Sequence, residues 1–368
     1  MKTFVAAAAF IAALSGATVC AADAPITIGH IGSLSGLGAD WGNWDSEGIA
    51  LAVDTINARG GVMGHNLAVE QRDDESKPET AAARFRELAG LGIRIVIGGT
   101  SGAPTLAMAL LVQAQKVILV TPSGQPQGLE KFGGYAGQTM MPMEPEGVAM
   151  GNAIVKRGVR KLSILAPANG FNAVFLTAMQ NTIGNKAAIA KVPFPEDMND
   201  LRAALDKAFA ADPPDGVYVA GGQAVGAQVF KLLAEAKYKG QRFAANAFQN
   251  DKTLAVVGAK AAEGVIYEYP GLVHTPEFVR AQAVFRKRYG RDMNLYNALA
   301  YDTVMMLAAG MTQTMRAGKA PEGDDLVLAL KGLRNFPGLT GPITWGEVTD
   351  HAVEMRTYRN GKIVTLPQ

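Results

Sequence analysis

A unit of an apolar strand, a polar loop and a helix recurs along the first part of this chain, about every 25 residues. The first four strands are predicted at residues 26–31, 67–71, 93–97 and 117–120. The first helix is expected to begin at Ser46, where apolar residues take helical spacing. Because strands that alternate with helices form parallel sheets covered by helices, this repeat predicts an α/β fold.

The repeat is interrupted twice and then resumes. Between residues 128 and 146 the strand–loop–helix pattern is replaced by a segment rich in glycine, proline and methionine. The pattern is interrupted again at Pro270 and Gly271. Between the interruptions, strands are predicted at residues 161–166, 188–194, 217–220 and 243–245. Long helices follow, and the tail alternates around a hairpin turn at Asn360 and Gly361. Two α/β units with several crossings between them predict a two-lobed protein with a cleft between the lobes.

The first 22 residues have the composition of a secretory signal peptide. Lys2 precedes an apolar run over residues 4–14, and small residues follow up to Ala22. The apolar run is shorter than the roughly 20 residues that a membrane-spanning helix needs. We therefore expect cleavage after Ala21 or Ala22. A lipoprotein anchored at Cys20 is disfavoured, because Val19 stands where a lipobox has a small residue.

Composition limits the partners of the mature chain. With 35 Lys and Arg against 33 Asp and Glu, the formal net charge is +2, which gives no electrostatic basis for binding nucleic acid or an anionic membrane. Cys20 is the one cysteine, so the exported chain is expected to fold without disulfides, on its core alone. We expect a monomer.

Motifs of common enzyme classes are missing from the sequence. Ser101 stands in Gly-Thr-Ser-Gly, one residue short of a nucleophile elbow, and neither a phosphate-binding loop nor a dinucleotide fingerprint occurs. The four histidines are scattered, without metal spacing. We therefore expect no catalysis, no metal and no cofactor. A secreted α/β hydrolase is the alternative that the missing elbow disfavours.

The loop that follows the first predicted strand is the first candidate for a ligand-facing surface. It covers residues 32–43 and contains Gly, Ser, Asp and Trp41. In open α/β sheets ligands bind beyond the carboxyl ends of the strands. Trp41 is therefore predicted to face a ligand.

Several segments resemble the periplasmic binding proteins for branched-chain amino acids, the type I family that serves ABC importers. They are IGHIGSLSG, WG, EGIALAVDTINARGGVMG and RDDES near the start, then IVIGGTSGAPTLAMA and VILVTPSGQ, and GLTGPITW near the end. The similarity spans essentially the whole mature chain. The resemblance implies two Rossmann-like lobes joined by a three-strand hinge, which close on a small ligand.

The resemblance also implies a domain division and a location. The signal peptide would cover residues 1–22, the N-terminal lobe residues 23–142 plus 272–335, and the C-terminal lobe residues 143–271 plus 336–368. The protein would act in the periplasm and present its ligand to an ABC permease in the inner membrane. A ligand-sensing partner of a membrane receptor, built on the same fold, remains an alternative.

In the first lobe, the resemblance assigns three groups of ligand-binding residues. Ser101 and Gly102 would hold a ligand carboxylate through a hydroxyl and the free N–H groups at a helix start. Trp41 would cover the ligand side chain with its ring. The second ligand loop would consist of Ser123, Gly124 and Gln125.

In the second lobe, the sequence departs from the family pattern. The positions matched to ligand contacts are Asn169, Phe171, Gln223 and Asn246, where amino-acid binders have aromatic or acidic groups. A ligand ammonium needs carboxylates or carbonyls around it, since an unpaired buried charge is unfavourable. Glu144, at the first crossing, is the remaining acidic candidate. The sequence therefore leaves two ligand classes open: an amino acid, or a small organic acid or amide without the amine.

Overall fold

The computed structural model describes residues 24–126, 128–167, 173–194, 201–209, 212–220, 223–249, 251–272, 275–346 and 353–367. The expected signal peptide, Asn169 and Phe171 therefore lie outside the described residues. Among the helices that are described, none has the length and apolar character needed to cross a bilayer.

The first lobe contains a five-stranded sheet, in which every strand pair is parallel and the order is β2-β1-β3-β4-β5. Its strands are β1 (Ile26–Gly32), β2 (Leu67–Asp73), β3 (Ile95–Gly98), β4 (Ile118–Thr121) and β5 (Ala136–Gln138). The helices between them are α1 (Ala39–Ala58), α2 (Pro78–Gly90), α3 (Gly102–Ala109) and α4 (Val112–Gln115). The predicted parallel α/β arrangement is confirmed.

The second lobe continues the alternation. Its strands are β6 (Lys161–Pro167), β7 (Ala188–Phe194), β8 (Gly216–Val219), β9 (Gln241–Ala244) and β10 (Ile266–Pro270). Its helices are α5 (Met143–Lys156), α6 (Ala173–Ile183), α7 (Leu201–Phe209), α8 (Gln223–Glu235), α9 (Asp251–Val257) and α10 (Ala259–Ala262). Short 3-10 turns lie at Gly36–Gly38, Leu129–Tyr135 and Asn246–Phe248.

After β10 the chain returns to the first lobe and then ends in the second. The returning helices are α11 (Pro276–Tyr289), α12 (Leu295–Arg316) and α13 (Gly323–Gly332). The remaining strands are β11 (Phe336–Gly338), β12 (Gly341–Ile343), β13 (Val353–Arg359) and β14 (Lys362–Thr365). The last two complete a seven-stranded sheet of order β14-β13-β10-β9-β8-β6-β7, whose β13 and β14 run antiparallel to their neighbours.

Helices α1 and α12 pack closely because Gly48 has no side chain. A Cβ at Gly48 would lie 2.2 Å from the backbone oxygen of Asn297. Asn297 also closes the capping box that begins α12 at Asn294, and it donates a hydrogen bond to the Trp44 carbonyl at 2.8 Å. These contacts hold the start of α12 against α1.

Each lobe has its own hydrophobic core. In the first lobe, the sheet packs with α1, α2, α11 and α12 through residues such as Ile31, Phe85 and Leu307. In the second lobe, one face of the sheet packs against α5 and α6, with Tyr218 and Phe243 in its core. The other face forms a separate core that includes Leu295 and Leu299 of α12. The start of α12 therefore belongs to both lobes.

The last crossing between the lobes lies further along the chain than the expected boundary at residue 335. Leu339, Ile343 and Trp345 pack into the core of the first lobe. The buried carboxylate of Asp302 in α12 accepts hydrogen bonds from the backbone N–H of Leu339 at 2.7 Å and of Thr340 at 2.9 Å. This anchoring keeps β11 and β12 with the first lobe, so the chain passes to the second sheet between Gly346 and Val353.

Two helix starts also differ from the sequence expectation. Helix α1 begins at Ala39 rather than at Ser46, so Trp41 lies in its first turns and not in a loop. Helix α5 begins at Met143, so Glu144 lies in a helix and not in an irregular crossing. In both cases glycines and prolines near the helix start had suggested a loop.

Candidate functional site

Four polar side chains lie where the carboxyl ends of the two sheets meet. Glu146, in the first turn of α5, accepts a hydrogen bond from Asn246 Nδ2 at 2.7 Å. Gln125, from the loop after β4 in the first lobe, lies close enough to Glu146 to lower its pKa. The hydroxyl of Tyr296 donates to Asn246 Oδ1 at 3.3 Å. Because carboxyl ends of strands are the usual ligand-facing edge of α/β sheets, this meeting point is the candidate site.

An aromatic cluster covers one side of the meeting point. Trp41 and Trp44 of α1 lie edge to face with a ring separation of 6.2 Å, and Trp44 stacks on Tyr296 at 5.5 Å. Trp41 and Tyr296 are 6.3 Å apart. All three side chains are half-buried. Only Trp41 was expected from the sequence. Trp44 follows it at helical spacing, and a helix that begins at Ala39 places both rings near one another.

Ser101 and Gly102 lie where the sequence places them, at the start of α3. Ser101 is the N-cap residue, exposed, with its side chain making no capping hydrogen bond, and Gly102 is the first helical residue. The Ser101 carbonyl accepts the N–H of Thr105 at 3.2 Å and its hydroxyl at 2.7 Å. The Ser101 hydroxyl and the first amide groups of α3 are therefore oriented as a helix N-terminus that suits an anion.

The loop after β4 is largely engaged within the protein. The hydroxyl of Ser123 donates to Asp45 Oδ1, and the N–H of Gly124 donates to Thr121 Oγ1 at 2.8 Å. Gln125 Nε2 donates to the Met141 carbonyl at 2.5 Å. Three of the donors expected to bind the ligand thus already have partners within the protein.

Asp45, which the sequence analysis did not select, lies beside Ser123 on α1. It is fully buried, and its Oδ2 atom has no hydrogen-bond partner among the described residues. Burial raises the pKa of Asp45 well above its ordinary value, although the Ser123 hydrogen bond opposes the rise. Four residues separate it from Trp41, which places both side chains on one face of α1.

The buried acidic residue of α5 is Glu146 and not Glu144. Glu144 is exposed, whereas Glu146 is 1% exposed and lies against Asn246. The two positions differ because α5 turns by about 200° over two residues. A helix start at Met143, recognised from sequence, would have distinguished them.

A second buried carboxyl, Glu268 on β10, completes the polar cluster of the second lobe. Its Oε1 atom accepts the backbone N–H of Asn246 at 2.9 Å, so Asn246 contacts both acids. Burial raises the pKa of Glu146 to about 7, against the effect of hydrogen bonds from Asn246 and Gln125. Burial, and then the neighbouring Glu146, raise the pKa of Glu268 well above its ordinary value.

The remaining predicted positions contribute less to the described site. Gln223 is the first residue of α8, and the structure describes its backbone but not its side chain. Asn169 and Phe171 lie outside the described residues, so their role stays a prediction. Within the described ranges, no group of three or more His, Cys, Asp or Glu side chains is arranged to hold a metal ion.

Two α/β lobes that face one another through strand ends and helix starts define a two-lobed ligand-binding protein. Residues 25–359 match the sequence profile of the periplasmic binding proteins, and the chain belongs to that family. This is a family of substrate-binding transport proteins rather than of enzymes.

Known relatives cover nearly the whole chain. The Leu/Ile/Val-binding protein BraC3 of Rhizobium johnstonii is 25% identical over 371 residues, which are 97% of each chain. The leucine-specific-binding protein of Salmonella typhimurium is 25% identical over 337 residues, 88% of each chain. The fold is similar to that of the substrate-binding protein LivJ of Streptococcus pneumoniae in complex with isoleucine, with a TM-score of 0.82, 22% identity, and 93% and 100% of the two chains covered.

Proposed function

We propose that this chain captures a small carboxylate-bearing ligand, an amino acid of the branched-chain or a related type, between its two lobes. The observation that carries the proposal is the pair of hydrogen bonds that Asn246 of the second lobe makes, one to Tyr296 on α12 and one to Glu146 on α5. A ligand placed there is enclosed by both lobes, which is how a desolvated cleft gains affinity from few polar anchors. The relatives that bind leucine, isoleucine or valine by name support the same class of ligand.

The ligand would be anchored by residues from both lobes. In the first lobe, Ser101 and Gly102 offer a hydroxyl and helix-start amides to a carboxylate, and Trp41 covers the ligand side chain. The second-lobe contacts would be Asn246 and Glu146, the latter in place of the exposed Glu144. The other residues proposed to line the cleft are Ser123, Gly124, Gln125, Asn169, Phe171 and Gln223.

The proposed role is delivery, without chemical change of the ligand. The mature chain would act as a monomer in the periplasm, after removal of residues 1–22, and its closed form would dock on an ABC permease of the inner membrane. Closure would be a shift in the population of two hinge states, driven by the better fit of the ligand to the closed state.

We also propose the division of the chain into lobes. Residues 23–142 and 272–335 would form the N-terminal lobe, and residues 143–271 would form the body of the C-terminal lobe. The membership of β1 to β5 in one sheet and of β6 to β10 in the other supports these boundaries. The packing of Leu339 and Ile343 in the first core supports placing the last crossing after Gly346, so that only the final segment returns to the C-terminal lobe.

Thermal-shift measurements of the mature protein against the common amino acids and small organic acids test the function. A ligand at 100 times its Kd should stabilise the folded state by about 2.7 kcal/mol, which raises the melting temperature measurably. Ser101→Ala and Trp41→Ala should reduce the shift, whereas Glu144→Gln, an exposed change, should leave it unaltered. The proposed function fails if no compound in the panel raises the melting temperature.

A further inference from the structure

A pocket of about 650 Å³ lies on the second lobe, away from the place where the lobes meet. It is bordered by the end of α7 and by the segments that precede β6, β8 and β9. Val159, Asp215 and Gln241 place it at the amino ends of these strands. Asn246 follows the carboxyl end of β9, so the length of a strand, roughly 13 Å, separates the pocket from the cleft. The two are therefore distinct sites.

One wall of the pocket is aromatic and held in place. The rings of Phe209 and Tyr238 stack with their centroids 5.8 Å apart, and both side chains are half-buried. The Tyr238 hydroxyl donates to the Pro214 carbonyl at 2.7 Å. Gly240 leaves room for this ring, because a Cβ there would lie 2.1 Å from the Tyr238 hydroxyl oxygen. The pocket thus offers a preformed surface against which a flat ring can pack.

Three cationic side chains line the same pocket, and none of them forms an ion pair with a carboxylate of the described residues. They are Arg157, Lys237 and Lys239. Arg157 is half-buried, and its guanidinium donates at 3.4 Å to the Ala153 carbonyl. Burial lowers the pKa of Arg157, with no anion to offset the desolvation. A carboxylate is the natural partner of such a group, because it can accept two parallel hydrogen bonds from it.

Asp215 is the acidic residue of the described pocket lining, and its charge is already engaged. Its carboxylate accepts the backbone N–H groups of Arg160 at 2.7 Å and Lys161 at 3.1 Å, and these bonds hold its pKa below the usual value. Glu235, at the end of α8, pairs with Arg202. The pocket therefore carries an excess of positive charge, which is complementary to an anion.

Helix capping does not account for the two lysines. Basic residues are common at the ends of helices, where they offset the helix dipole. After α8, however, the carbonyls of residues 232–234 already accept the backbone N–H groups of residues 236–238. Lys237 also has a φ of 55°, a left-handed conformation that favours glycine at this position of a helix end. The charges of Lys237 and Lys239 are thus available to a bound anion.

We propose that this pocket is a second binding site, which takes an aromatic carboxylate. The carboxylate pairs with Arg157 and the two lysines, and the ring packs on the wall formed by Phe209 and Tyr238. The volume suits such a molecule, since small-molecule sites enclose about 300–1,000 Å³. The site lies within one lobe and does not depend on the ligand that the cleft binds.

Calorimetry with 2-naphthoate tests the site on the full mature protein, with 2-naphthamide as the neutral counterpart. The carboxylate should bind, and the amide should bind about 10-fold more weakly or not at all, because it lacks the charge. Equal affinity for the two compounds, or no binding of 2-naphthoate, overturns the inference. Neither result bears on the proposed function, which the thermal-shift measurements with amino acids test separately.

Variants distinguish the pocket from the cleft. Arg157→Gln should weaken 2-naphthoate binding about 10-fold or more, whereas Trp41→Ala, a change in the cleft, should leave it unaltered. Lys156→Gln, exposed and outside the pocket lining, is the matched control for loss of a charge. An Arg157→Gln protein that binds 2-naphthoate as tightly as the wild type refutes the site, as does loss of binding in Trp41→Ala alone.

Lys237→Gly tests the same pocket if Arg157→Gln does not fold. Glycine suits the left-handed conformation of residue 237, so this variant should be at least as stable as the wild type. It should weaken 2-naphthoate binding about 2- to 5-fold, as expected for an exposed charge pair. Unchanged affinity in a folded Lys237→Gly protein would count against the proposal.

Discussion

The hydroxyl of Ser123 donates its hydrogen to the buried carboxyl of Asp45. This contact joins the loop after β4 to the second turn of α1, and it uses the only proton that Ser123 has to give. Ser101 differs, because it is exposed and makes no capping hydrogen bond. The two serines that a sequence pattern treats alike therefore differ: Ser123 holds the first lobe together, whereas Ser101 is the serine that we propose to meet the ligand.

Substitution of the two serines by alanine should change two different properties, the stability of the fold for Ser123 and the affinity for the ligand for Ser101. Ser123→Ala leaves a buried Asp45 oxygen without its donor and should lower the free energy of unfolding by about 1–3 kcal/mol. Ser101→Ala should change it by less than about 0.5 kcal/mol, as exposed substitutions usually do, but weaken ligand binding. Urea denaturation without ligand and calorimetry with ligand measure the two effects. The assignment is wrong if Ser101→Ala is the destabilising variant.

Ligand affinity should depend on pH through Glu146. Its pKa is raised to about 7 in the ligand-free protein, so part of the population is protonated at neutral pH. A cationic ligand favours the ionised carboxyl and lowers this pKa, so binding releases protons and affinity falls as the pH drops below about 7. The titratable groups that face Glu146 are Glu268 on β10, Tyr218 on β8 and Tyr296 on α12.

Calorimetry in buffers of different ionisation enthalpy measures this proton release directly. The Glu146→Gln variant should lose most of it. Proton uptake in place of release would contradict the expected sign. A carboxylate ligand without an amine is expected to show the opposite pH dependence, because an anion is repelled by ionised Glu146.

The buried carboxyl of Asp302 should be important for stability. It accepts the N–H groups of Leu339 and Thr340 and the Thr340 hydroxyl at 2.8 Å, and it thereby holds β11 and β12 on the first lobe. Asp302→Ala leaves these donors buried without a partner and should lower the free energy of unfolding by about 2–5 kcal/mol. Asp325→Asn, which removes an exposed pair with Lys319, is the control and should change stability by less than about 1 kcal/mol. Chemical denaturation compares them.

Stability should also respond to pH through Asp302. Burial raises its pKa to about 7, above the 3.8 of a free aspartate, despite the hydrogen bonds that it accepts. The folded state therefore binds more protons than the unfolded state between these values, so this contribution is present below about pH 4 and is lost as the pH rises through about 7. The difference in unfolding free energy between the wild type and Asp302→Asn, followed from pH 5 to pH 8, should show this trend. A difference that is flat with pH would count against it.

Alanine at two helical glycines should have opposite effects. Gly48→Ala brings a methyl group to 2.2 Å from the backbone oxygen of Asn297, so α1 and α12 must move apart. We expect this to lower the free energy of unfolding by about 1–3 kcal/mol. Gly90, at the end of α2, has no neighbouring atom within 4 Å, and Gly90→Ala should stabilise the protein by about 0.5–1 kcal/mol. The melting temperatures of both variants measure these effects. A raised melting temperature for Gly48→Ala would show that α1 and α12 are not tightly packed at Gly48.

Sequence reasoning identified the fold because its signals are local and repeated. The strands from Ile26, Leu67 and Lys161 are apolar runs flanked by glycines, and many such units constrain the architecture even when single boundaries are shifted. It predicted that Trp41 faces a ligand because Trp41 follows a strand, and the family resemblance supplied Ser101 and Asn246 as further candidates. Helix starts were harder, since Gly42 and Pro145 favour a loop locally but are tolerated within first turns once the helix packs.

By itself, the sequence determined that the chain forms two α/β lobes, and it placed a serine at the start of a helix in the first of them. Only the tertiary structure decided that Ser123 is committed to Asp45, and that Glu146 rather than Glu144 meets Asn246. Only the tertiary structure brought Glu268 and Tyr218, which are far apart in the chain, close enough to interact electrostatically. A periodic sequence pattern indicates which face of a helix or strand is apolar. Contacts between polar groups that are distant in the chain depend instead on how whole helices and strands pack together.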